Sequence, residues 1–448
     1  MSIATAEAAP RNRLLSILGV AFSVAVALGS MIGSGVLRSP QAVAAGVEST
    51  AIILLLWFAG AVHAALGANV LVELGTSVPR DGGPYVFTHR ALGDVPGLIV
   101  GWSSWGATVA GVAAAAVSFA NFFAILVPAM APHEAGIAIA LQIVLYGTNI
   151  LGLREGRTLQ EVSSFAKALL LLAFAVAAAF AIPAEAAIGL PTPAAAITWV
   201  GVVGAYQLIR GAYAGWDAPI YFSEENTAPA HSIPRGVFVG VALTSFLYLA
   251  VNAGLLRALG PHATAQSALP FMTVLHGVAG PLASVFFAVG AMTTVLSCAN
   301  ANIMIAPRVL FALARDRLLP HQLAAVNAGG SPHVAYLMSG LASIALAATG
   351  QFALVFGLIG TLDTLSGLLT VTSFFVLRRR EPGLARPYRS LGYPFLPALV
   401  FGIEVVLLVL FNIADLRGFL AAIALSALCV PFAWVAHRAR RAAPDELG

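Results

Sequence analysis

Apolar residues fill this chain in long unbroken runs, divided by short clusters that hold most of its charge. Each run offers the roughly 20 residues that a helix needs to cross a bilayer. Membrane β-strands would instead alternate over about ten residues, and the runs do not alternate, which excludes a β-barrel. Spans are predicted to begin near Leu14, Thr50, Gly97, Gly136, Leu159, Thr198, Gly236, Pro281, Val334, Ala353, Pro394 and Gly418. The pattern therefore predicts an all-α polytopic membrane protein with twelve transmembrane helices. Met1 to Pro10 is short and polar, and the first run outlasts a signal peptide without a convincing cleavage site, so the first helix is expected to be retained.

Two of these runs are interrupted by glycine. The first carries Gly29-Ser30-Met31-Ile32-Gly33-Ser34-Gly35-Val36, and the sixth carries Arg210-Gly211-Ala212-Tyr213-Ala214-Gly215-Trp216-Asp217-Ala218-Pro219. Five spans separate one break from the next. An odd number of crossings brings the second unit in from the opposite face, so a five-plus-five inverted repeat is expected. The chain then divides into an N-terminal tail (1–13), helices one to five (14–182), helices six to ten (183–377), a loop with helices eleven and twelve (378–437) and a C-terminal tail (438–448).

A helix broken inside a membrane leaves unpaired N–H groups on one half and unpaired C=O groups on the other. Each orphan costs several kcal/mol in hydrocarbon, so a break persists where protein, water or a ligand satisfies it. A zwitterion suits both halves. Its carboxylate can take the N–H groups and the positive dipole end at Gly33, Ser34 and Gly35. Its ammonium can donate to carbonyls near Met31, Ile32 and Tyr213. Gly29 and Gly33 alone would also read as a small-residue packing motif; the Gly33-Ser34-Gly35 triplet and the matching break with its proline favour binding.

Composition agrees with a membrane setting. Apolar residues make up 59% of the 448 and charged residues 9%, against about 25% charged in a soluble domain. All but five of the 23 lysines and arginines fall on one set of connections and the two tails. Arg38, Arg257 and Arg417 lie on the other side, and Lys167 and Arg210 within spans. That bias places both termini in the cytoplasm. The net charge of +4 reflects this topology and some attraction to anionic headgroups, and needs no nucleic-acid partner. Cys298 and Cys429 sit in apolar runs and read as packing. The chain has no His-Glu-x-x-His, no Gly-x-Ser-x-Gly and no paired intramembrane aspartates. No catalytic residue, metal ligand or cofactor site is assigned, and an enzyme is not expected.

Gly29 to Val36 resembles the first-helix signature of the amino acid–polyamine–organocation superfamily of permeases. Pro79-Arg80-Asp81-Gly82-Gly83-Pro84-Tyr85 is similar to its first cytoplasmic loop. Tyr213-Ala214-Gly215-Trp216, Glu224-Glu225-Asn226-Thr227-Ala228-Pro229 and Ile233-Pro234-Arg235 resemble its sixth helix and following loop. Pro307-Arg308 to Asp316, then Leu319-Pro320, resembles the end of its eighth. The resemblance implies alternating access, and it is nearest the bacterial relatives of the L-type and cationic amino acid branches. It also implies that Lys167, in helix five, replaces the sodium ion of coupled relatives, either titrating during transport or acting as a fixed tether. From the residues alone, Lys167 lies about 15 Å along the axis from Arg157, and snorkelling to the cytoplasmic face is the competing reading.

Arg210 and Asp217 flank the second break. They are expected either to pair, steadying it, or to face the pocket, where Arg210 would favour an acidic or hydroxylated side chain. Tyr213 and Trp216 are candidate pocket walls, with Trp102, Trp105 and Asn300 as further candidates. His63 reads as hydrogen-bonded packing. Glu73, Glu224 and Glu225 are expected to pair with Arg80, Arg235 or Arg315, and Asp363 stands isolated. These readings converge on a sodium-independent amino-acid permease of the bacterial cytoplasmic membrane. Its expected partners are an amino acid, the lipid bilayer and, in a symport mode, protons; the sequence names no partner protein. A polyamine or organic-cation carrier and a non-transporting sensor are the alternatives.

Overall fold

In the computed structural model, residues 14–181, 197–349 and 352–414 are described, together with 420, 423 and 427. The twelfth predicted span apart from those three residues, Cys429 and both tails lie outside them. The described residues form fourteen α-helices. They are α1 (Val20–Met31), α2 (Ser34–Val47), α3 (Thr50–Ser77), α4 (Pro84–Leu92), α5 (Asp94–Leu126), α6 (Glu134–Leu151) and α7 (Leu153–Phe180). There follow α8 (Trp199–Tyr213), α9 (Pro229–Gln266), α10 (Pro270–Ala279), α11 (Ala283–Arg315), α12 (His333–Ala348), α13 (Phe352–Arg380) and α14 (Phe395–Ala414). No strand forms among the described residues; one parallel bridge joins Leu18 to Asn226.

Seven helical segments among them are long and apolar enough to cross a membrane, α1 and α2 counting together as one. The predicted first break is present: α1 stops at Met31, Ile32 is extended, and α2 restarts at Ser34. The second is present too, with α8 ending at Tyr213 and a 3-10 turn resuming at Ala218–Phe222. Helices α4 and α10 were not anticipated, because neither carries an apolar run of membrane length. Instead α4 starts at Pro84 behind Gly83, whose φ of 64° is easy only for glycine. A Cβ on Gly83 would also lie 2.3 Å from the Tyr221 ring. The Gly82-Gly83-Pro84 sequence thus turns the chain tightly against the second break and launches α4.

The bundle centres on α5 and α11, which share the widest helix–helix contact, while α1 is enclosed by α9, α7 and α11. The two breaks meet at its middle. Gly215 has φ of 96°, and a Cβ there would sit 2.6 Å from the Cβ of Ser30. Only glycine allows this approach.

One end of the bundle is tied by charge. Arg308, wholly buried, donates to Glu225 at 3.1 and 3.2 Å and to the Met304 carbonyl at 2.8 Å. Its Nη1 also donates to the Tyr336 hydroxyl. Arg315 holds Glu224 at 2.7 Å and Arg80 holds Asp316 at 2.8 Å. The Glu225 carbonyl accepts from Ile17 and Leu18 at 3.0 and 2.9 Å, pinning the segment before α1. Of the expected pairings, Glu224 with Arg315 forms. Glu73 instead takes Arg378 and Arg386, and Glu225 takes Arg308. The sequence offered no reason to choose these partners, which come together only when α13 and α11 pack.

Candidate functional site

A cavity of about 290 Å³ opens beside the two breaks. One water needs about 10–15 Å³ of such space, so the cavity admits a small amphipathic molecule. Met31, Gly33, Ser34 and Gly35 line it from the first break, and Gly211, Ala212, Gly215 and Asp217 from the second. Gly33 is the N-cap of α2 and provides no side-chain cap. The first amides of a helix have no partner within it, so this helix start presents N–H groups and a positive dipole end to the cavity. Cys298 of α11 lines it next to Gly33, and Thr108 and Gly111 of α5 and Asn302 of α11 complete the lining.

The carbonyl side of the breaks is held by protein. Lys167 of α7 is fully buried, and its Nζ donates to the carbonyls of Gly29 at 2.8 Å and Ile32 at 2.5 Å. It therefore does not snorkel to an end of the bundle. The Tyr248 hydroxyl of α9 lies 2.8 Å from the Met31 carbonyl and 3.0 Å from that of Ala212, bridging the two breaks. So the Ile32 carbonyl, expected to await an ammonium, already has a donor, and the Met31 carbonyl shares the single Tyr248 proton with Ala212. Each carbonyl keeps a second lone pair, but Ile32 is buried and does not line the cavity. Tyr248 escaped sequence reasoning because a single tyrosine in an apolar helix has no distinguishing pattern.

Two further expectations change. Arg210 does not pair with Asp217. Its Nη1 lies 3.1 Å from Asp363 Oδ2 of α13 and its Nη2 3.3 Å from Glu404 Oε2 of α14. The separate placement follows from the break itself, which turns the chain between the two residues. Asp363, isolated in sequence, is thereby explained. Asn300 does not face the cavity. It is buried and bonded to Asn149 at 2.8 Å and Gln160 at 2.9 Å, tying α11 to α6 and α7. Of the two α5 tryptophans, Trp105 donates to Ser339 at 3.0 Å and Trp102 packs on it, so both are packing.

A smaller chamber of about 110 Å³ adjoins the cavity and shares Ser104, Arg210, Asp217, Tyr221 and Asp363 with it. Tyr213 and Trp216 line this chamber, Tyr213 packed on Trp57 and Tyr248 and Trp216 on Gly67. Here His63 lies 3.2 Å from Glu404 and 3.0 Å from the Tyr206 hydroxyl, the hydrogen-bonded setting expected of it. No cluster of metal-binding side chains occurs among the described residues.

Comparison with known proteins decides what kind of molecule carries these breaks. A model of the amino acid permease family matches residues 18–427, nearly the whole chain. The chain belongs to this family. The permease is 26% identical over 397 residues to the rat large neutral amino acids transporter small subunit 2, covering 85% of its own length and 73% of the relative's. It is 26% identical over 410 residues to the serine/threonine exchanger SteT of Bacillus subtilis, covering 87% and 89%. A transporter of Mycobacterium tuberculosis is 33% identical over 346 residues, covering 75% and 74%. These are membrane transporters, and the permease is no enzyme.

Proposed function

We propose that the permease moves amino acids across the bacterial cytoplasmic membrane by alternating access, without sodium, as a proton-coupled symporter or an exchanger. The observation that carries this reading is the pairing of two helix breaks around one cavity, with unpaired N–H groups at Gly33 to Gly35. A carboxylate is the group such amides and their dipole favour. The transporters of amino acids among the relatives support the same substrate class.

On this reading twelve helices cross the membrane, the first ten as two inverted sets of five, with both termini cytoplasmic. The Arg308–Glu225 and Arg315–Glu224 pairs then close the cytoplasmic end, while the cavity lies toward the α2 and α8 halves. Lys167 occupies the carbonyls at the first break with its own ammonium, which leaves no role there for sodium. Met31, Gly33, Ser34, Gly35 and Asp217 are the residues we assign to substrate, with Arg210 held beside them by Asp363 and Glu404. Tyr213 and Trp216 shape the chamber beside it, and Ile32 acts through Lys167.

Uptake into proteoliposomes, with and without a pH gradient, tests this. Uptake of a zwitterionic amino acid without sodium is expected; a strict sodium requirement would overturn the role given to Lys167.

A further inference from the structure

The side chamber is unevenly charged. Among the described residues Arg210 is its one permanent cation, yet Asp217, Asp363 and Glu404 all line it. Glu404 is committed twice, to Arg210 and to His63. Asp363 gives Oδ2 to Arg210, but its side chain remains 47% exposed into the opening. Asp217 enters no ion pair among the described residues; the Tyr221 hydroxyl and its own backbone N–H are the hydrogen-bonding groups beside it.

A second observation is independent of charge. Ser366 of α13 lines the same chamber, is only 8% exposed, and its Oγ has no hydrogen-bond partner. A buried hydroxyl without a partner is costly to leave that way and marks a place where a polar group is missing. Asp217, Asp363 and Ser366 thus bring three acceptors with spare capacity to one small space that opens into the main cavity.

An ammonium carries three donors and no acceptor. We infer that this chamber is the side-chain subsite of the permease and selects amino acids with a cationic side chain. The inference rests on the amino-acid reading above, which fixes the substrate's carboxylate at Gly33 to Gly35. The α-ammonium and side chain then face the second break, where Asp217 stands between cavity and chamber. Arg210, steadied by two carboxylates, is a structural counter-charge that keeps the acidic cluster from repelling itself. It is not a receptor for acidic side chains.

The test compares L-lysine with L-norleucine, which share a backbone and chain length and differ by the terminal ammonium. In proteoliposomes holding the full chain, each competes against uptake of a radiolabelled amino acid that the permease moves. Lysine is expected to compete at least tenfold better than norleucine. In Asp217→Asn that ratio collapses toward one, and in Ser366→Ala it falls severalfold. Equal competition by the two ligands in the wild type overturns the inference while leaving the amino-acid reading intact, and needs no variant to fold. Failure of every zwitterion to move or compete overturns both.

Discussion

Arg308 offers the clearest test of how the ion-paired end of the bundle is held. Its guanidinium is fully buried and forms two hydrogen bonds to Glu225, one to the Met304 carbonyl and one to Tyr336, between the rings of Phe222 and Tyr336. Arg308→Met preserves much of the packing volume but leaves the Glu225 carboxylate buried without its cation. Removing one partner of such a pair costs about 3–5 kcal/mol, because the desolvated charge that remains has nothing to offset it. Glu225→Gln should cost a similar amount from the other side. The double variant buries no uncompensated charge at this pair, so its loss should be no larger than either single loss. The assay is equilibrium unfolding in mixed micelles for all four proteins, with proteoliposome leak as a second readout of gate closure. Independent sites add to within about 0.5 kcal/mol. A double variant whose loss equals the sum of the singles would refute the pairing argument.

Other consequences follow from neighbouring groups. Asp81 is fully buried, one of its oxygens has no partner, and burial with the nearby Glu225 and Glu224 pushes its carboxyl well above the ordinary range. The folded chain therefore binds this proton more tightly than the unfolded one, and stability is lost as pH rises from about 4. Asp81→Asn should melt above the wild type at pH 8, with the gap vanishing toward pH 4; melting curves across that range check it. Lys167→Met strips the Gly29 and Ile32 carbonyls of donors, and charge-assisted hydrogen bonds are worth about 1.5–3 kcal/mol each. Uptake should fall at least about tenfold, and unchanged uptake would count against the first break as a working part. In Gly29→Ala the new Cβ would lie 1.8 Å from Gln160 Nε2, which already bonds Ser164 at 2.8 Å. Overpacking there should cost about 1–3 kcal/mol in the same unfolding assay.

What was legible in the sequence depended on range. Membrane spans declare themselves because hydrocarbon demands about 20 apolar residues in succession, and eleven of the predicted starts fall within several residues of a helix start. The breaks were legible because the Gly33-Ser34-Gly35 triplet is matched, five spans later, by a second glycine break followed by a proline. The short α4 and α10 were not, since neither has membrane length. Partners distant in sequence were also hidden. Nothing near Arg210 names Asp363 or Glu404, and Asp217, its neighbour along the chain, was the natural but mistaken choice. Tyr248 and Arg308 derive their importance from what packs around them. For Asn300 the residue type suggested a pocket, whereas helix packing gave it Asn149 and Gln160.

The central claim is that amides at Gly33 to Gly35 recognise a substrate carboxylate. It is tested most directly by competition between an amino acid and its decarboxylated amine for sodium-free uptake into proteoliposomes. The account predicts that the amino acid is transported and that its amine, lacking the group those amides bind, fails to compete at tenfold higher concentration. Competition by the amine as strong as that of the amino acid would contradict it.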